Sequence, residues 1–441
     1  MQIKNPYIQY MYSYPHKTAY RALENVDVRA FFNQLIGEKN SLYFHVPFCQ
    51  YKCGYCNLFS LAGQSEQMMV DYVDAMERHA KQMSRVLPSG VEFEDLTIGG
   101  GTPLILSEDL LERIFRMAEN YFAFYPKKGA VVVETSPNQT TASKLKLLKQ
   151  YGTTRISIGV QSFHDDELKA LSRFHTVATA KKALSLIKEE SFSCVNIDLI
   201  YGIPGQTRES LLESVEQAIA FEPEELFVYP LYIKKGTGLY GRNENVTVGQ
   251  TEKTYELYRF VREVLRERGY QPYSMRRFVK SAIMEQTSLC GFGNTISIGC
   301  GGRSYIGNLH FCTPYAVRQD NCLKLVKDYI ERENHLQVDY GFLLNEDEQK
   351  RRYVIKHILF GMGICKEDYR QRFHSPVEVD FPQLIEWVQQ GYADDQEKYI
   401  VLTETGFALS DYLGPQLISS KVAMRMKEWK EADGTEQAVV L

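Results

Sequence analysis

Six short runs rich in apolar, β-branched and aromatic residues recur along the first half of the chain. They are "SLYFHV" (41–46), "DLTIGG" (95–100), "AVVVE" (130–134), "RISIGV" (155–160), "CVNIDLIYG" (194–202) and "ELFVYPLYI" (225–233). They are more continuously apolar than alternating, the pattern of strands covered on both faces. Between them, apolar positions fall at helical spacing in "MMVDYVDAMERHAKQMSRVL", "SEDLLERIFRMAENYF", "TTASKLKLLKQYG", "TAKKALSLIKEE" and "TRESLLESVEQAIAF". Capping chemistry marks some of these starts, with Ser107 before Glu108 and Thr207 ahead of Glu209.

Strand–helix alternation repeated this often implies right-handed crossovers and a parallel sheet. Six units over roughly 190 residues suit an α/β fold built as an open, partial (βα)6 barrel, with a doubly wound open sheet as the alternative. A further helical pattern, "EKTYELYRFVREVLRERGY" (252–270), leads into the Gly- and Cys-rich "TSLCGFGNTISIGCGGRSYIGN" (287–308). Beyond about residue 325 come a helix ("NEDEQKRRYVIKHILFGMGI"), a second ("FPQLIEWVQQGYA"), a hairpin-and-helix pattern ("EKYIVLTETGFALSDYLG") and a polar tail. That order suggests a small winged-helix-like α+β domain. The expected organisation is an N-terminal segment (1–40), a partial βα barrel (41–250), a barrel extension (251–324) and a C-terminal domain (325–441).

At 441 residues the chain exceeds one ordinary domain, and its 44 % apolar and 24 % charged residues are those of a soluble globular protein. A formal charge of −4 without a long basic block argues against nucleic acid or an anionic membrane as the main partner. The N-terminus lacks a signal-peptide core, and no run of about 18 apolar residues occurs. A cytoplasmic location is therefore expected. In that reducing compartment nine cysteines are not a disulfide framework. Most, such as Cys194 and Cys365, read as small buried apolar residues. Cys290, Cys300, Cys312 and Cys322 are widely spaced singles.

Cys49, Cys53 and Cys56 are different: "CQYKCGYC" packs three thiols into eight positions as C-x3-C-x2-C. Structural zinc takes four closed ligands, and no C-x2-C or H-x3-H partner follows in the next stretch. Three thiolates suit three irons of a [4Fe–4S] cube and leave the fourth iron open for substrate or cofactor. The other polar signals fall where a parallel βα architecture collects its sites, at the carboxyl ends of strands. "GGGTP" (99–103) is a turn that lets backbone approach a ligand closely. Glu134 closes the third strand, Gln161 the fourth, and Asp198 lies on the fifth. A carboxylate suits an ammonium, the Arg173 guanidinium suits a carboxylate, and Asp or Gln suits ribose hydroxyls.

These motifs resemble the radical S-adenosylmethionine superfamily: the cysteine triplet has an aromatic residue, Phe59, shortly after its last member. "YFHVPFC", "GGGTP", "RISIGVQSF", "LSRFH" and "NIDLIYGIPGQT" further resemble the oxygen-independent coproporphyrinogen III oxidase family, with its haem-chaperone-like and methyltransferase-like branches. The likeness is dense from residue 41 to about 235 and continues through "SIGCGGRSY" into the C-terminal domain. It implies a [4Fe–4S] cluster on Cys49, Cys53 and Cys56, with S-adenosylmethionine chelating the open iron. It implies that Gly100, Gly101, Thr102 and Glu134 seat the methionyl amino group, that Arg173 pairs the carboxylate, and that Gln161 and Asp198 face the ribose. Glu134 and Tyr43 are the catalytic candidates, and Tyr43 matches an aromatic position near a second S-adenosylmethionine in the oxidase branch. The implied reaction is hydrogen abstraction from a tetrapyrrole-related small molecule, of oxidative-decarboxylation type, with a reducing partner such as flavodoxin or ferredoxin. A methyltransferase and a haem-binding chaperone are the alternatives.

Tyr12, Ser13, Tyr14 and Pro15 resemble the Y-x-S-Y-P of the oxidase branch, with Met11 at its opening tyrosine position, whereas Leu58 stands where that branch has a fourth cysteine. The H-N-x-x-Y-W signature of the chaperone branch is replaced by "TSLCGFGN". "KTAYR" offers Lys17 and Arg21 for a substrate carboxylate.

Overall fold

The computed structural model describes residues 3, 5–125, 129–234, 236–242, 251–280, 291–361 and 363–429. Its centre is a parallel sheet. We label its strands β1 (Asn40–Val46), β2 (Phe93–Gly100), β3 (Ala130–Thr135), β4 (Arg155–Gln161), β5 (Cys194–Tyr201), β6 (Glu225–Pro230) and β7 (Asn294–Ile298). The order is β7-β1-β2-β3-β4-β5-β6, every neighbouring pair parallel. Antiparallel strands extend both edges, Arg277–Lys280 and Tyr270–Pro272 beside β6, and Ser304–Ile306, Leu309–Phe311, Gln337–Leu343 and Arg21–Asp27 beyond β7. The sheet therefore stays open, and the α/β expectation of a partial barrel describes it.

Helices α1 (Glu66–Arg85), α2 (Glu108–Phe122), α3 (Ala142–Gln150), α4 (Val177–Glu190), α5 (Arg208–Ile219) and α6 (Thr251–Glu267) carry the crossovers and the exit from the last one. Their starts follow the sequence chemistry: Ser107 Oγ accepts from Leu110 N at 3.4 Å, and Thr207 forms a reciprocal capping box with Ser210. On α1, Met69, Tyr72, Val73, Met76, Ala80 and Met83 fall on one buried face against the sheet. Leu42, Phe44 and Val46 of β1 are fully buried in the same core.

Three local departures from the sequence reading affect the site. β7 lies inside the Gly- and Cys-rich segment and adds a seventh parallel strand to the six expected. β6 ends at Pro230, so Tyr232 lies beyond it and not on it. The N-terminal segment contributes an edge strand, Arg21–Asp27, paired with Gln337–Leu343.

The C-terminal part has helices Glu346–Ile358, Lys366–Phe373 and Gln383–Gln389 around a three-stranded sheet of Ile364–Cys365, Tyr399–Leu402 and Ala393–Asp395. Helix, strand, two helices and a hairpin wing make it winged-helix-like. Among the described residues no helix is long and apolar enough to cross a membrane.

Candidate active site

The cysteine loop leaves β1 and folds across the carboxyl edge of the sheet. The glycine turn after β2 is stitched to it: Gly101 N donates to Val46 O and Thr102 N to Phe48 O, both at 2.8 Å. Thr102 Oγ1 lies 3.7 Å from Cys49 Sγ. Cys56 N donates to Cys53 O at 3.1 Å, which closes the loop on itself. All three thiols are half-buried. Burial, then the neighbouring Cys56 sulfur, pushes the Cys49 thiol up to about 12, and burial with Cys53 beside it raises Cys56. Three thiolates there need a cationic partner among them.

Among the described residues no three His, Cys, Asp or Glu side chains converge on a single ion. Zinc, with Zn–S bonds of about 2.3 Å, would draw its sulfurs to within about 4 Å of one another. A cube presents a separate iron to each thiolate and leaves its fourth iron open. Three cysteines from one short loop fit a [4Fe–4S] cluster of that kind.

The structure brings most of the sequence-predicted residues to this edge. Gly100 N donates to Glu134 Oε2 at 2.9 Å, and burial raises the Glu134 carboxyl. Gly100 has φ of +119°, and a Cβ there would lie 2.7 Å from the His45 ring. A Cβ on Gly101 would lie 2.6 Å from Phe48 O. The glycines are thus demanded by the protein's own close packing as well as by any ligand. Gln161 ends β4 at a register shift, in the left-handed region with φ of +76°. Its amide lies over Gly159, where an added Cβ would meet Nε2 at 2.7 Å.

Arg173 reaches back from the loop between the short helix Asp165–Ala170 and α4. Its NH1 donates to Cys53 Sγ at 3.1 Å, its NH2 donates to Gly159 O, and its buried Nε has no partner among the described residues. Asp198 accepts from Asn196 Nδ2 at 2.7 Å, and burial pushes its carboxyl up to about 7 despite that bond. Tyr43 points its hydroxyl to His45 Nδ1 at 3.2 Å.

A cavity of about 290 Å³ opens beside these groups, lined by Gly100, Glu134, Tyr43 and His45 on one side and by Lys17 and Arg303 on another. Cysteine loop, glycine turn and cavity therefore meet at Gly100 and Glu134. Arg21 is absent from this lining. It donates to Thr18 O at 2.9 Å and Tyr20 O at 2.8 Å and faces a second cavity of about 490 Å³, which shares Pro314 and Tyr315 with the first.

Sequence reasoning missed His45 and Arg303. His45 could have been found from strand periodicity, since it shares a face with Tyr43 two positions earlier. Burial pushes its imidazole down to about 4, so it is neutral at pH 7. Arg303 follows a strand that was itself missed. Of the four spaced cysteines, Cys300 and Cys322 are buried, Cys312 lines the cavity and Cys290 lies outside the described residues.

An open parallel sheet with a three-cysteine loop at its carboxyl edge defines a class, and residues 43–218 match the Radical SAM superfamily. The haem chaperone HemW of Haemophilus influenzae is 30 % identical over 62 % of this chain and 71 % of that protein. The oxygen-independent coproporphyrinogen III oxidase of Helicobacter pylori strain 26695 is 24 % identical over 83 % of each chain. The fold of the coproporphyrinogen III oxidase HemN from Escherichia coli superposes with a TM-score of 0.78 at 22 % identity, covering 96 % of this chain and 98 % of that one. The chain belongs to the radical SAM superfamily, in the family that holds haem chaperone HemW and oxygen-independent coproporphyrinogen III oxidase. Its cofactors are accordingly a [4Fe–4S] cluster and S-adenosylmethionine.

Proposed function

We propose that the protein is a radical S-adenosylmethionine oxidoreductase acting on a tetrapyrrole-related small molecule, with oxidative decarboxylation as the reaction type. When bound, the cluster and S-adenosylmethionine supply one-electron cleavage of a carbon–sulfur bond and removal of a substrate hydrogen. Cys49, Cys53 and Cys56 hold the cluster. Gly100, Gly101 and Thr102 with Glu134 hold the methionyl amino group, Arg173 the carboxylate, and Gln161 and Asp198 the ribose. Tyr43 and His45 form the wall between cofactor and substrate, where Tyr43 also suits a second S-adenosylmethionine. A flavodoxin or ferredoxin supplies the electron, and the protein works in the cytoplasm.

The observation that carries this reading is the shared wall. Gly100 of the glycine turn beside the cysteine loop and Glu134, which accepts its N–H, both line the cavity, so a substrate there lies against the cofactor. The second reading is haem carriage, supported by relatives named as haem chaperones.

Anaerobically reconstituted protein is expected to bind about four irons per chain and to cleave S-adenosylmethionine under reductant. Cys53→Ala is expected to lose both. Intact iron loading in that variant would refute the cluster assignment. Turnover with candidate porphyrinogens then separates the readings by mass. Methionine, 5′-deoxyadenosine and a decarboxylated product support the oxidase; S-adenosylhomocysteine with a methylated product supports a methyltransferase. Tight haem binding with only abortive cleavage supports a carrier.

A further inference from the structure

The N-terminal segment delivers a cation to the cavity, and among the described residues no carboxylate pairs with it. Lys17 opens the short 3-10 turn Lys17–Ala19, and its Nζ sits 3.5 Å from the centre of the Tyr315 ring. Among the described residues it has no oxygen acceptor and no salt bridge. Arg303 faces the same space from the turn after β7. Its NH1 donates to Ser13 Oγ at 2.6 Å, and its guanidinium lies 4.8 Å from the Tyr12 ring and 5.8 Å from the Tyr305 ring. Among the described residues no carboxylate pairs with it either. Lys356 adds a third cation to the lining, its Nζ bonded to Tyr12 O at 3.3 Å.

Glu134 is the acid on this lining, and its Oε2 accepts from Gly100 N at 2.9 Å. Burying an ammonium and a guanidinium without a counter-ion is costly. The cost shows in the neighbours: burial, then Arg303, drives the Lys17 ammonium well below its ordinary range, and Arg303 and Lys17 add to the burial that lowers His45. Aromatic faces stabilise such cations only in part. A ligand oxyanion between them would supply the missing charge, and the guanidinium fork suits a carboxylate.

We propose that Lys17 and Arg303 form a carboxylate-recognition subsite, which fixes a ligand by an acidic substituent while the rest of it lies toward Tyr43 and Glu134. This rests on the reading that the cavity takes substrate. The carboxylate belongs to the substrate or to an S-adenosylmethionine seated in the cavity, and the two sources are separable.

The test uses full-length, cluster-loaded protein. Wild type, Lys17→Met, Arg303→Met and Arg303→Lys are titrated with coproporphyrin III, with its uncharged tetramethyl ester, and separately with S-adenosylmethionine. Iron content and circular dichroism equal to wild type certify each variant as folded. Loss of a charge-assisted contact weakens acid binding about tenfold or more in each Met variant, with partial recovery in Arg303→Lys. Ester affinity is expected to change less than about twofold, because no carboxylate is present to lose. If S-adenosylmethionine affinity falls and the porphyrin's does not, the subsite holds and its occupant is the methionyl carboxylate. Equal losses for acid and ester, or none for any probe, overturn the proposal. If wild type binds no porphyrin, the tetrapyrrole reading fails separately. Citrate then decides the subsite: it raises the melting temperature of wild type and not of the Met variants, or the subsite is refuted.

Discussion

At the scale of single residues, Asp198 carries a pH signature. Burial holds its carboxyl at about 7 in the folded protein, against about 3.9 in an unfolded chain. Folding therefore takes up a proton between those values, and the stability tied to this group is fully present below about pH 4 and lost as pH rises to about 7. In the apo protein, Asp198→Asn is expected to flatten that part of the profile. The check is the urea midpoint at pH 5 and pH 8: the wild-type decline must shrink in the variant, and an unchanged decline would contradict the assignment. Which residue types matter here was legible from sequence because strand ends declare themselves. What each touches was not. Arg173 donates to Cys53 across 120 positions of chain, and the three glycines owe their identity partly to Glu134, His45 and a Phe48 carbonyl. Contacts of that separation are set by packing, which no local pattern encodes.

At the scale of elements, the six βα units announced themselves because each strand is apolar on both faces and each helix has one apolar stripe. β7 did not, since "NTISI" is short, half polar and framed by glycines. Its place is fixed from outside, by parallel pairing with β1 from Asn294 opposite Asn40 to Ile298 opposite Phe44. The turn that follows β7 is where this dependence can be tested. Gly299 has φ of +111°, and a Cβ would lie 2.5 Å from His45 O and 2.8 Å from the Tyr72 hydroxyl. Gly269 has φ of +85° with open space around it. Gly269→Ala should cost about 1 kcal/mol from backbone strain alone. Gly299→Ala should cost about 3 kcal/mol or more, because strain and a backbone clash add. Denaturant midpoints of the two variants check this, and equal losses would mean that β7 and β1 can part without consequence.

At the scale of the whole molecule, one buried ion pair joins three parts of the chain. Arg276, beside the edge strand Arg277–Lys280, donates from NH1 to Asp411 Oδ1 at 3.0 Å and from NH2 to the other carboxylate oxygen. Asp411 belongs to the short helix Ser410–Leu413 of the C-terminal part. Tyr232, just past β6, also donates to Asp411 and accepts from Arg276 NH2 at 2.8 Å. Gln9 N donates to Asp411 O at 3.1 Å, and the Tyr10 ring lies 3.8 Å from the guanidinium carbon. The pair therefore holds the N-terminal segment, which carries Tyr12 and Lys17, against both the sheet and the C-terminal part. Removing one partner strands a buried charge, so Asp411→Ala should lose about 3–5 kcal/mol. Replacing both, as Arg276→Met with Asp411→Leu, should recover much of that loss, because no uncompensated charge remains. The local consequence is distinct from the global one. In Asp411→Ala, trypsin should cut after Lys17 or Arg21 faster than elsewhere, because Gln9 and Tyr10 lose their anchor. A single variant that unfolds no more easily than wild type and is cut at the same rate would show that the N-terminal segment is held by other contacts.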